Sequence, residues 1–233
     1  MKKILIADDE ADIRNILKMQ LELQGYEVEV GVDGQDAVEM VESGNQYDLV
    51  LLDIMMPRLS GVDACIKIRK ITNVPILFLT AKSGEQDIVE AYANGGDDFL
   101  SKPFSKVELM AKVDALIRRY RIYSEKSLNS DDSLIVLDLF SFDIKRRIAK
   151  YDGVTVELTN VETDILFLLL RNRGRVFDTK QIFEEVWREQ YYAEAGNTVM
   201  VHVFNLRKKL ETSDKSSIVK TVWGKGYRID VDL

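Results

Sequence analysis

The sequence predicts an α/β domain with an open parallel sheet, followed by a smaller α+β domain. The chain has 233 residues, a length that suits one large domain or two ordinary ones. In about the first 120 residues, short apolar runs alternate with longer helical patterns, which is typical of a sheet with helices on both faces. After residue 132, short strand patterns precede three helical patterns and a final pair of strands. The order of elements therefore changes once along the chain, and the change separates the two predicted domains.

The first domain contains five strand candidates. Four of them consist almost entirely of apolar or β-favouring residues, which is typical of strands buried on both faces of a parallel sheet. The five candidates are Lys3–Ala7, Tyr26–Val30, Leu49–Asp53, Pro75–Thr80 and Asp98–Leu100. Apolar residues at helical spacing lie between them, such as Ile13, Leu17 and Leu21. Ligands of such sheets bind at the carboxyl ends of the strands.

The second domain follows a polar segment. Residues 121–132 lose the helical period, so we predict a first domain over residues 1–121, a linker over 122–132 and a second domain over 133–233. Its strand candidates are Leu134–Leu137, Leu139–Asp143, Arg147–Tyr151, Val154–Glu157, Ile218–Trp223 and Tyr227–Val231. Its helical candidates are Val161–Asn172 after a Thr159–Glu162 capping box, Lys180–Trp187 after a Thr179 cap, and a helix from Asn197 or Thr198 to about Glu211. This order matches a winged helix-turn-helix.

Composition and charge narrow the class of protein. The single cysteine, Cys65, excludes an internal disulfide, and the longest apolar run, Ile165–Leu170, is too short to span a membrane. We therefore expect a cytoplasmic protein without a membrane partner. Residues 1–120 hold 14 Lys and Arg against 21 Asp and Glu, whereas residues 196–228 hold 7 basic and 2 acidic side chains. An acidic first half and a basic segment near the end indicate that the two domains have different functions, with nucleic acid as a partner of the second domain.

Carboxylates and their counterparts follow the strands of the first domain. Asp8 and Asp9 come after the first strand, Asp53 ends the third, Thr80 ends the fourth and Lys102 follows the fifth. Since all these strands are predicted to be parallel, their ends meet at one edge of the sheet. Phosphoryl transfer to a carboxylate needs such a set: a nucleophilic Asp, acids that hold Mg²⁺, and donors for phosphoryl oxygens. Each residue alone is more often a turn former or a helix cap, but the combination favours chemistry.

The last predicted helix has two distinct faces. Val199, Val203, Leu206 and Leu210 form an apolar stripe. The opposite arc carries Val201, Phe204, Asn205 and Lys208, with Met200 and Thr198 at its edges. Apolar groups contact thymine methyls and Asn pairs with adenine, so the arc suits a recognition helix in the major groove, with nearby basic residues on phosphates. It equally suits an apolar contact with another protein, and the helix alone leaves both interpretations open.

Four motifs of the first domain closely resemble the receiver domain of two-component response regulators. They are Asp8-Asp9-Glu10, LLDIMMPRLSG (51–61), LTAK (79–82) and DDFLSKPF (97–104), and the resemblance covers residues 2–121. It implies a flavodoxin-like fold with Asp53 as phosphoacceptor. It further implies Mg²⁺ on Asp9, Asp8 and the Met55 carbonyl, a switch hydroxyl on Thr80 and a phosphate clamp on Lys102. Phe99 stands where the family has its rotating aromatic residue, and Lys102-Pro103 where it has a cis peptide bond.

Three motifs of the second domain resemble the effector domain of the OmpR/PhoB family, and within it the vancomycin-resistance type. They are residues 157–187, NTVMVHVFNLRKKLE (197–211) and IVKTVWGKGYRI (218–229). The resemblance places Val201, His202 and Asn205 in the major groove and the wing at Gly224–Gly226 near the minor groove. The positions that match phosphate contacts are Trp187, Thr198, His202, Arg207, Thr221 and Tyr227. Asn205 and Trp223 stand where many members have Arg, so base preference is not transferable, and Lys225 is a candidate substitute in the wing.

The resemblance also implies partners. The family dimerises through the fourth helix, fifth strand and fifth helix of the receiver, upon phosphorylation by a sensor histidine kinase, and binds double-stranded DNA as direct repeats; RNA polymerase is a further candidate partner. The residues suitably placed for the dimer are Asp97, Asp98, Glu108, Lys112, Arg118 and Arg119. Ile88 replaces the basic partner usual for Glu108, so we expect a more apolar dimer that is less sensitive to salt.

Two other functions compete with a phosphorylation-controlled transcription factor. A phosphatase of the haloacid-dehalogenase kind also uses an Asp nucleophile, Thr, Lys and Mg²⁺, but needs a second Asp where this chain has Met55. A constitutive DNA-binding protein would not need an active receiver, and Asp53, Thr80 and Lys102 argue against it. We therefore predict a regulator rather than an enzyme.

Overall fold

The computed structural model describes residues 2–81, 94–125, 134–144, 146–192, 195–211 and 217–231, with the backbone alone at 121–125. The chain divides into two compact units, Met1–Tyr120 and Arg121–Leu233. No helix among the described residues is both long enough and apolar enough to cross a membrane.

The first unit is built on a five-stranded parallel sheet with the order β2-β1-β3-β4-β5. The strands are β1 (Lys3–Ala7), β2 (Glu27–Gly31), β3 (Leu49–Asp53), β4 (Ile76–Ala81) and β5 (Asp98–Lys102). The described helices are α1 (Ala11–Glu22), α2 (Gly34–Glu42), α3 (Gly61–Arg69) and α4 (Lys106–Glu125). The five predicted strands are confirmed to within a residue or two at their ends, because polar or turn-forming residues bound each of them.

Both faces of this sheet are buried. Alternate residues of the strands, such as Leu5, Val50 and Phe78, pack into one apolar cluster together with α2 and α3. The residues between them, such as Ile6 and Leu51, pack into a second cluster with α1 and α4. Continuous apolar strands have no polar face to expose, which accounts for helices on both sides. The α/β fold class predicted for this half is thereby confirmed.

Helix α4 extends further than predicted. It continues to Glu125, so residues 122–125, which were predicted to be part of the linker, are helical. The sequence Arg121–Glu125 contains no Pro or Gly, and nothing in it ends a helix once one is under way. Residues 126–132 of the predicted linker lie outside the described residues.

The second unit begins with a four-stranded antiparallel sheet and ends with a hairpin. The sheet strands are β6 (Leu134–Leu137), β7 (Phe140–Asp143), β8 (Ile148–Tyr151) and β9 (Val154–Val156). The remaining elements are α5 (Asn160–Arg171), α6 (Thr179–Trp187), α7 (Ala195–Lys209), β10 (Val219–Val222) and β11 (Gly226–Ile229). Inward residues of the sheet, such as Phe140 and Phe142, share one core with all three helices and the hairpin. The predicted order of strands, three helices and hairpin is confirmed.

The helix caps were predicted in one case and mistaken in the other. Thr159 and Glu162 form the expected capping box of α5. Helix α6 is instead capped by Asp178, whose side chain accepts from the backbone of Gln181, so Thr179 is its first residue and not its cap. The reason is local: Asp178 and Gln181 have the spacing of a reciprocal box, which Thr179 lacks with its own third neighbour, Ile182.

Candidate functional sites

The acidic strand ends of the first unit converge on Lys102. Its Nζ donates to Asp8 Oδ2 at 2.7 Å and to Asp53 Oδ1 at 2.6 Å. Glu10 Oε1 is 3.6 Å from the same nitrogen. Asp8 and Asp53 are almost fully buried. The parallel strands therefore bring together residues that are 94 and 49 positions apart in the chain.

Local backbone geometry fixes the two carboxylates. Asp53 Oδ2 accepts the Met55 N–H at 2.8 Å, and Asp8 Oδ1 accepts the Glu10 N–H at 2.9 Å. The loop after Asp53 closes tightly, because a Cβ at Gly61 would lie 2.0 Å from the Asp53 backbone oxygen. Each carboxylate thus uses one oxygen to hold its own loop and presents the other to Lys102.

Burial and charge shift the proton affinities of this site. Burial raises the pKa of Asp53, and the neighbouring Asp8 adds to the rise, whereas Lys102 and the Met55 N–H oppose it. Burial acts to lower the pKa of Lys102, but its hydrogen bonds with Asp53 and Asp8 outweigh that effect, so its pKa is raised. Lys102 is therefore a firmly held ammonium that compensates two buried acids.

The donor set fits a hard divalent cation. Asp8, Asp9, Glu10 and Asp53 supply only oxygen ligands, which Mg²⁺ prefers, and Lys102 alone does not balance their charge. Within the described residues, no three such side chains already converge as metal ligands, because Asp8 and Asp53 turn toward the ammonium instead. A cation held there would compete with Lys102 for the same two carboxylates.

The other predicted receiver residues lie around this cluster. Thr80 is buried and follows Leu79, the residue that pairs with Asp53 across β3 and β4. Phe99 is half-buried on β5, with the Lys112 Nζ 5.8 Å from its ring centroid. Asp9 is exposed at the rim. The Lys102-Pro103 peptide bond is cis, as expected.

The structure differs from expectation at part of the predicted dimer face. Asp97 and Asp98 are each 1% exposed and form ion pairs within the unit, Asp97 with Arg69 at 2.6 Å and Asp98 with Lys112 at 2.9 Å. Arg119 is also buried, with its Nε directed at the Ala115 carbonyl. Asp98 begins β5, the edge strand of the sheet, and Asp97 directly precedes it; both carboxylates turn inward to their basic partners. Glu108 and Arg118 are exposed, and Ile88 lies outside the described residues.

Helix α7 of the second unit buries a wider stripe than the sequence indicated. The predicted core positions Val199, Val203 and Leu206 are buried. Thr198 and His202, predicted to contact phosphates, are 3% and 1% exposed and also face the core. On the helix surface Thr198 and His202 lie directly beside the apolar stripe. The face of a helix that packs on a core is wider than one row of apolar residues, so it includes these two positions.

Trp187 is likewise part of the core, contrary to its expected exposure to DNA. It is fully buried and stacks on Phe183 with ring centroids 5.0 Å apart, while the His202 ring lies 5.6 Å away. Its indole nitrogen is buried and has no hydrogen-bond acceptor among the described residues. A phosphate contact by these side chains therefore requires their movement.

The outward arc of α7 carries the remaining predicted contacts. Met200 is 46% exposed and Phe204 is 66% exposed, with Val201 and Asn205 partly exposed between them. Arg207 and Lys208 are exposed toward the end of the helix. This surface combines apolar, amide and basic groups in the width of one helix, as major-groove contact requires.

The hairpin contacts the segment before α6 and also helix α7. Phe177 and Tyr227 exchange two backbone hydrogen bonds of 2.9 Å. Arg207 Nη1 donates to Thr221 Oγ1 at 2.8 Å, and this hydrogen bond joins α7 to β10. Trp223 and Lys225 are exposed at the tip, whereas Tyr227 is half-buried. Burial raises the pKa of Tyr227, with a smaller opposing effect from Arg207, so its hydroxyl stays protonated.

Two family models match the chain. One describes the response regulator receiver domain and matches residues 4–114, and the other describes the C-terminal domain of transcriptional regulatory proteins and matches residues 153–229. The transcriptional regulatory protein YrkP of Bacillus subtilis is 42% identical over 97% of this chain and 97% of its own. The regulatory protein VanR of Enterococcus faecium is 35% identical over 98% of each chain. The chain belongs to the OmpR/PhoB-type two-component response regulators.

Solved structures agree on the fold of this response regulator. A mutant of RitR superposes with a TM-score of 0.80 over 99% of both chains at 24% identity. At that identity the likeness concerns the fold alone. The predicted fold class, a flavodoxin-like receiver with a winged helix-turn-helix, and the predicted role as a transcriptional regulator are confirmed.

Sequence reasoning missed three ion pairs, two at Arg58 and one at Lys209, that join distant segments of the response regulator. Arg58, at a positive φ of 61°, contacts Asp33 and Asp36 and so ties the loop that carries Met55 to the start of α2. Lys209 at the end of α7 contacts Glu162 at 2.7 Å, so the capping acid of α5 also anchors the recognition helix. All three ion pairs join residues far apart in sequence, and no spacing pattern in the sequence predicts such contacts.

Proposed function

We propose that this response regulator accepts a phosphoryl group on Asp53, and that phosphorylation strengthens its dimerisation and sequence-specific binding to DNA. The observation that carries the proposal is the contact of the Lys102 ammonium with both Asp8 and Asp53. It brings a nucleophile, a second acid and an ammonium for phosphoryl oxygens within hydrogen-bonding distance, as a reaction that depends on position and charge requires. The chain then acts as a regulator and not as an enzyme.

The donor is a phosphohistidine of a sensor histidine kinase, which places the reaction in the cytoplasm. An oxygen of Asp53 attacks phosphorus, the bond from phosphorus to the imidazole nitrogen breaks with its electron pair, and an acyl phosphate remains. Asp53 Oδ2 holds its own loop through the Met55 N–H, whereas the partner of Oδ1 is a side chain that can move, so Oδ1 is the attacking atom. Lys102 leaves Oδ1 for a phosphoryl oxygen and retains Asp8.

Mg²⁺ on Asp8, Asp9, Asp53 and the Met55 carbonyl would neutralise charge on the transferred group. The chain's own acids explain why a cation is needed: without it a phosphoryl dianion would face buried Asp8 and Asp53 with Lys102 as the sole adjoining ammonium among the described residues. Thr80 then supplies a hydroxyl to the phosphoryl group, and Phe99 fills the space that Thr80 vacates.

The described part of the proposed dimer face is the exposed side of α4, which follows β5 and is the fifth helix of the predicted face. Val107 is 79% exposed there, next to the exposed Glu108, and Arg118 is exposed three turns further on. Val107 adds to the apolar character that Ile88 led us to expect. Asp97 and Asp98 contribute indirectly, because they hold Arg69 and Lys112 in place.

Binding to DNA uses the outward arc of α7 and the hairpin. Val201 and Asn205 contact base edges, and Arg207 contacts a phosphate with the guanidinium nitrogens that Thr221 leaves available. Two effector units carried by one receiver dimer bind half-sites about one helical turn apart, arranged as direct repeats. RNA polymerase is a further partner proposed for the bound protein.

The proposal is tested by coupling phosphorylation to assembly. The full chain is treated with acetyl phosphate and Mg²⁺, its mass is measured, and the same sample is studied by sedimentation and DNA binding. We expect one added phosphoryl group, conversion to a dimer at a protein concentration of roughly tens of micromolar, and tighter binding to DNA. Phosphorylated protein that stays monomeric at that concentration would contradict the proposed coupling.

A second prediction separates base contacts from phosphate contacts. Asn205→Ala is expected to cost about 1–3 kcal/mol at one base pair and little elsewhere, because a bidentate amide–adenine contact is worth that much. Arg207→Ala should weaken binding to all sequences and lower the salt slope by roughly one phosphate. Binding-site selection with both variants is the measurement. An unchanged selected motif for Asn205→Ala would show that the base-contacting face of α7 is assigned wrongly.

A further inference from the structure

Trp223 is the most exposed large apolar residue among those described, with 91% of its surface accessible. It lies at the tip of the β10–β11 hairpin, in a turn closed by the Lys225 N–H donating to the Val222 carbonyl at 2.9 Å. Gly224 permits this turn with a φ of 69°. The turn thus presents an indole on one side of Gly224 and an ammonium on the other.

The tip is held in a defined position. A Cβ at Gly226 would lie 2.0 Å from the Phe177 carbonyl, so the hairpin approaches the segment before α6 as closely as backbone allows. The Arg207–Thr221 contact fixes β10 relative to the outward arc of α7. Trp223 is two residues beyond Thr221 and therefore stands at a set distance from the residues proposed to bind the major groove.

The charge around the hairpin indicates the kind of partner. Lys220, Lys225 and Arg228 lie on it, and Asp230, which pairs with Arg228 at 2.7 Å, is the acid near its base. A basic surface with an exposed aromatic ring suits a polyanion that also offers apolar surface. Duplex DNA meets both conditions, because its phosphates alternate with deoxyribose rings, whereas its bases are already stacked.

We propose that the indole of Trp223 packs against deoxyribose at the edge of the groove that the hairpin enters. In that position it supplies a part of the affinity that does not depend on salt, while Lys225 on the same turn supplies an ionic part. The proposal rests on the proposed DNA binding and adds a chemical role for the exposed indole of the hairpin. The indole carries no charge, so it stabilises the complex without releasing counterions.

Fluorescence quenching tests the contact directly, because the chain has two tryptophans and the other, Trp187, is fully buried. Acrylamide quenching of the full chain is measured with and without a duplex of about 30 base pairs, which accommodates two half-sites. We expect the quenching constant to fall severalfold on DNA binding, toward the value of the Trp223→Phe protein, whose remaining tryptophan is shielded throughout.

Salt titration of two matched variants supplies the second measurement. Trp223→Ala should weaken binding ~10-fold or more at every salt concentration, with the slope of log Kd against log salt unchanged. Lys225→Ala should flatten that slope by roughly 0.9, the value of one phosphate contact. Trp223→Phe, which keeps an aromatic ring, should recover most of the affinity.

The outcomes separate this inference from the proposed function. DNA binding with unchanged quenching of Trp223, or equal affinity of the Trp223→Ala protein, would overturn the role of the indole and leave DNA binding intact. A wild-type chain that binds no duplex even at low salt would overturn both.

Discussion

Asp53→Asn is expected to abolish phosphate incorporation from acetyl phosphate in the presence of Mg²⁺. An amide is a far weaker nucleophile than a carboxylate and carries no charge to hold the cation. We expect no phosphate on the neighbouring Asp8, which is 0% exposed, against 5% for Asp53. The measurement is intact mass after treatment, and a variant that gains phosphate at a rate comparable to wild type would show that another residue is the acceptor.

Controls for this variant follow from the site. Asp12→Asn changes an exposed acid in the first turn of α1 and should be phosphorylated normally. Asp9→Ala should weaken Mg²⁺ binding and slow the reaction without removing the acceptor. The first variant keeps the acceptor and all proposed Mg²⁺ ligands, and the second keeps the acceptor but loses one ligand, so together they separate loss of the nucleophile from loss of the cation.

The same variant has an expected pH signature. The pKa of Asp53 is raised by burial, so the protonated form favours the folded state. The contribution of this carboxyl to stability is present below its unfolded pKa and is lost as pH rises through its folded pKa. The free energy of unfolding of wild type should therefore fall relative to that of Asp53→Asn across this window, as measured by urea unfolding at several pH values.

The sequence allowed the sheet and the acid cluster to be predicted because both follow from the strand pattern alone. Short, mostly apolar runs indicated the strands, and the parallel order brought their ends to one edge. The contacts of Lys102 with Asp8 and Asp53 follow from that geometry. No information about side-chain packing was needed.

What could not be predicted depends on the direction of single side chains. A helical wheel centred on Val199 gives the middle of the buried stripe but not its width, so His202 and Thr198 were expected on the surface. The end of α4 depends on residues beyond its apolar stripe. Likewise, resemblance to a family gave Asp97 a place at a dimer face, whereas the structure gives it Arg69 as a partner.

Asp97→Ala is expected to destabilise the receiver by about 3 kcal/mol, because it leaves a buried charge without its partner. Asp97 Oδ2 accepts from Arg69 at 2.6 Å and from the Ile76 N–H at 2.8 Å. The substitution leaves the Arg69 guanidinium and the Ile76 N–H without this acceptor, although Arg69 still donates to the carbonyls of Val74 and Gly95. Urea unfolding of the full chain by circular dichroism measures the change.

Two readouts within the same experiment decide whether Asp97 is internal or interfacial. Both tryptophans lie in the second unit, so fluorescence reports the unfolding of that unit, whereas circular dichroism reports both units. Glu108→Ala removes an exposed acid from the predicted dimer face and should alter stability by less than ~0.5 kcal/mol while weakening the phosphorylated dimer. If Asp97→Ala instead left stability unchanged and lowered only dimer affinity, Asp97 would belong to the interface, and its ion pair with Arg69 would not persist in solution.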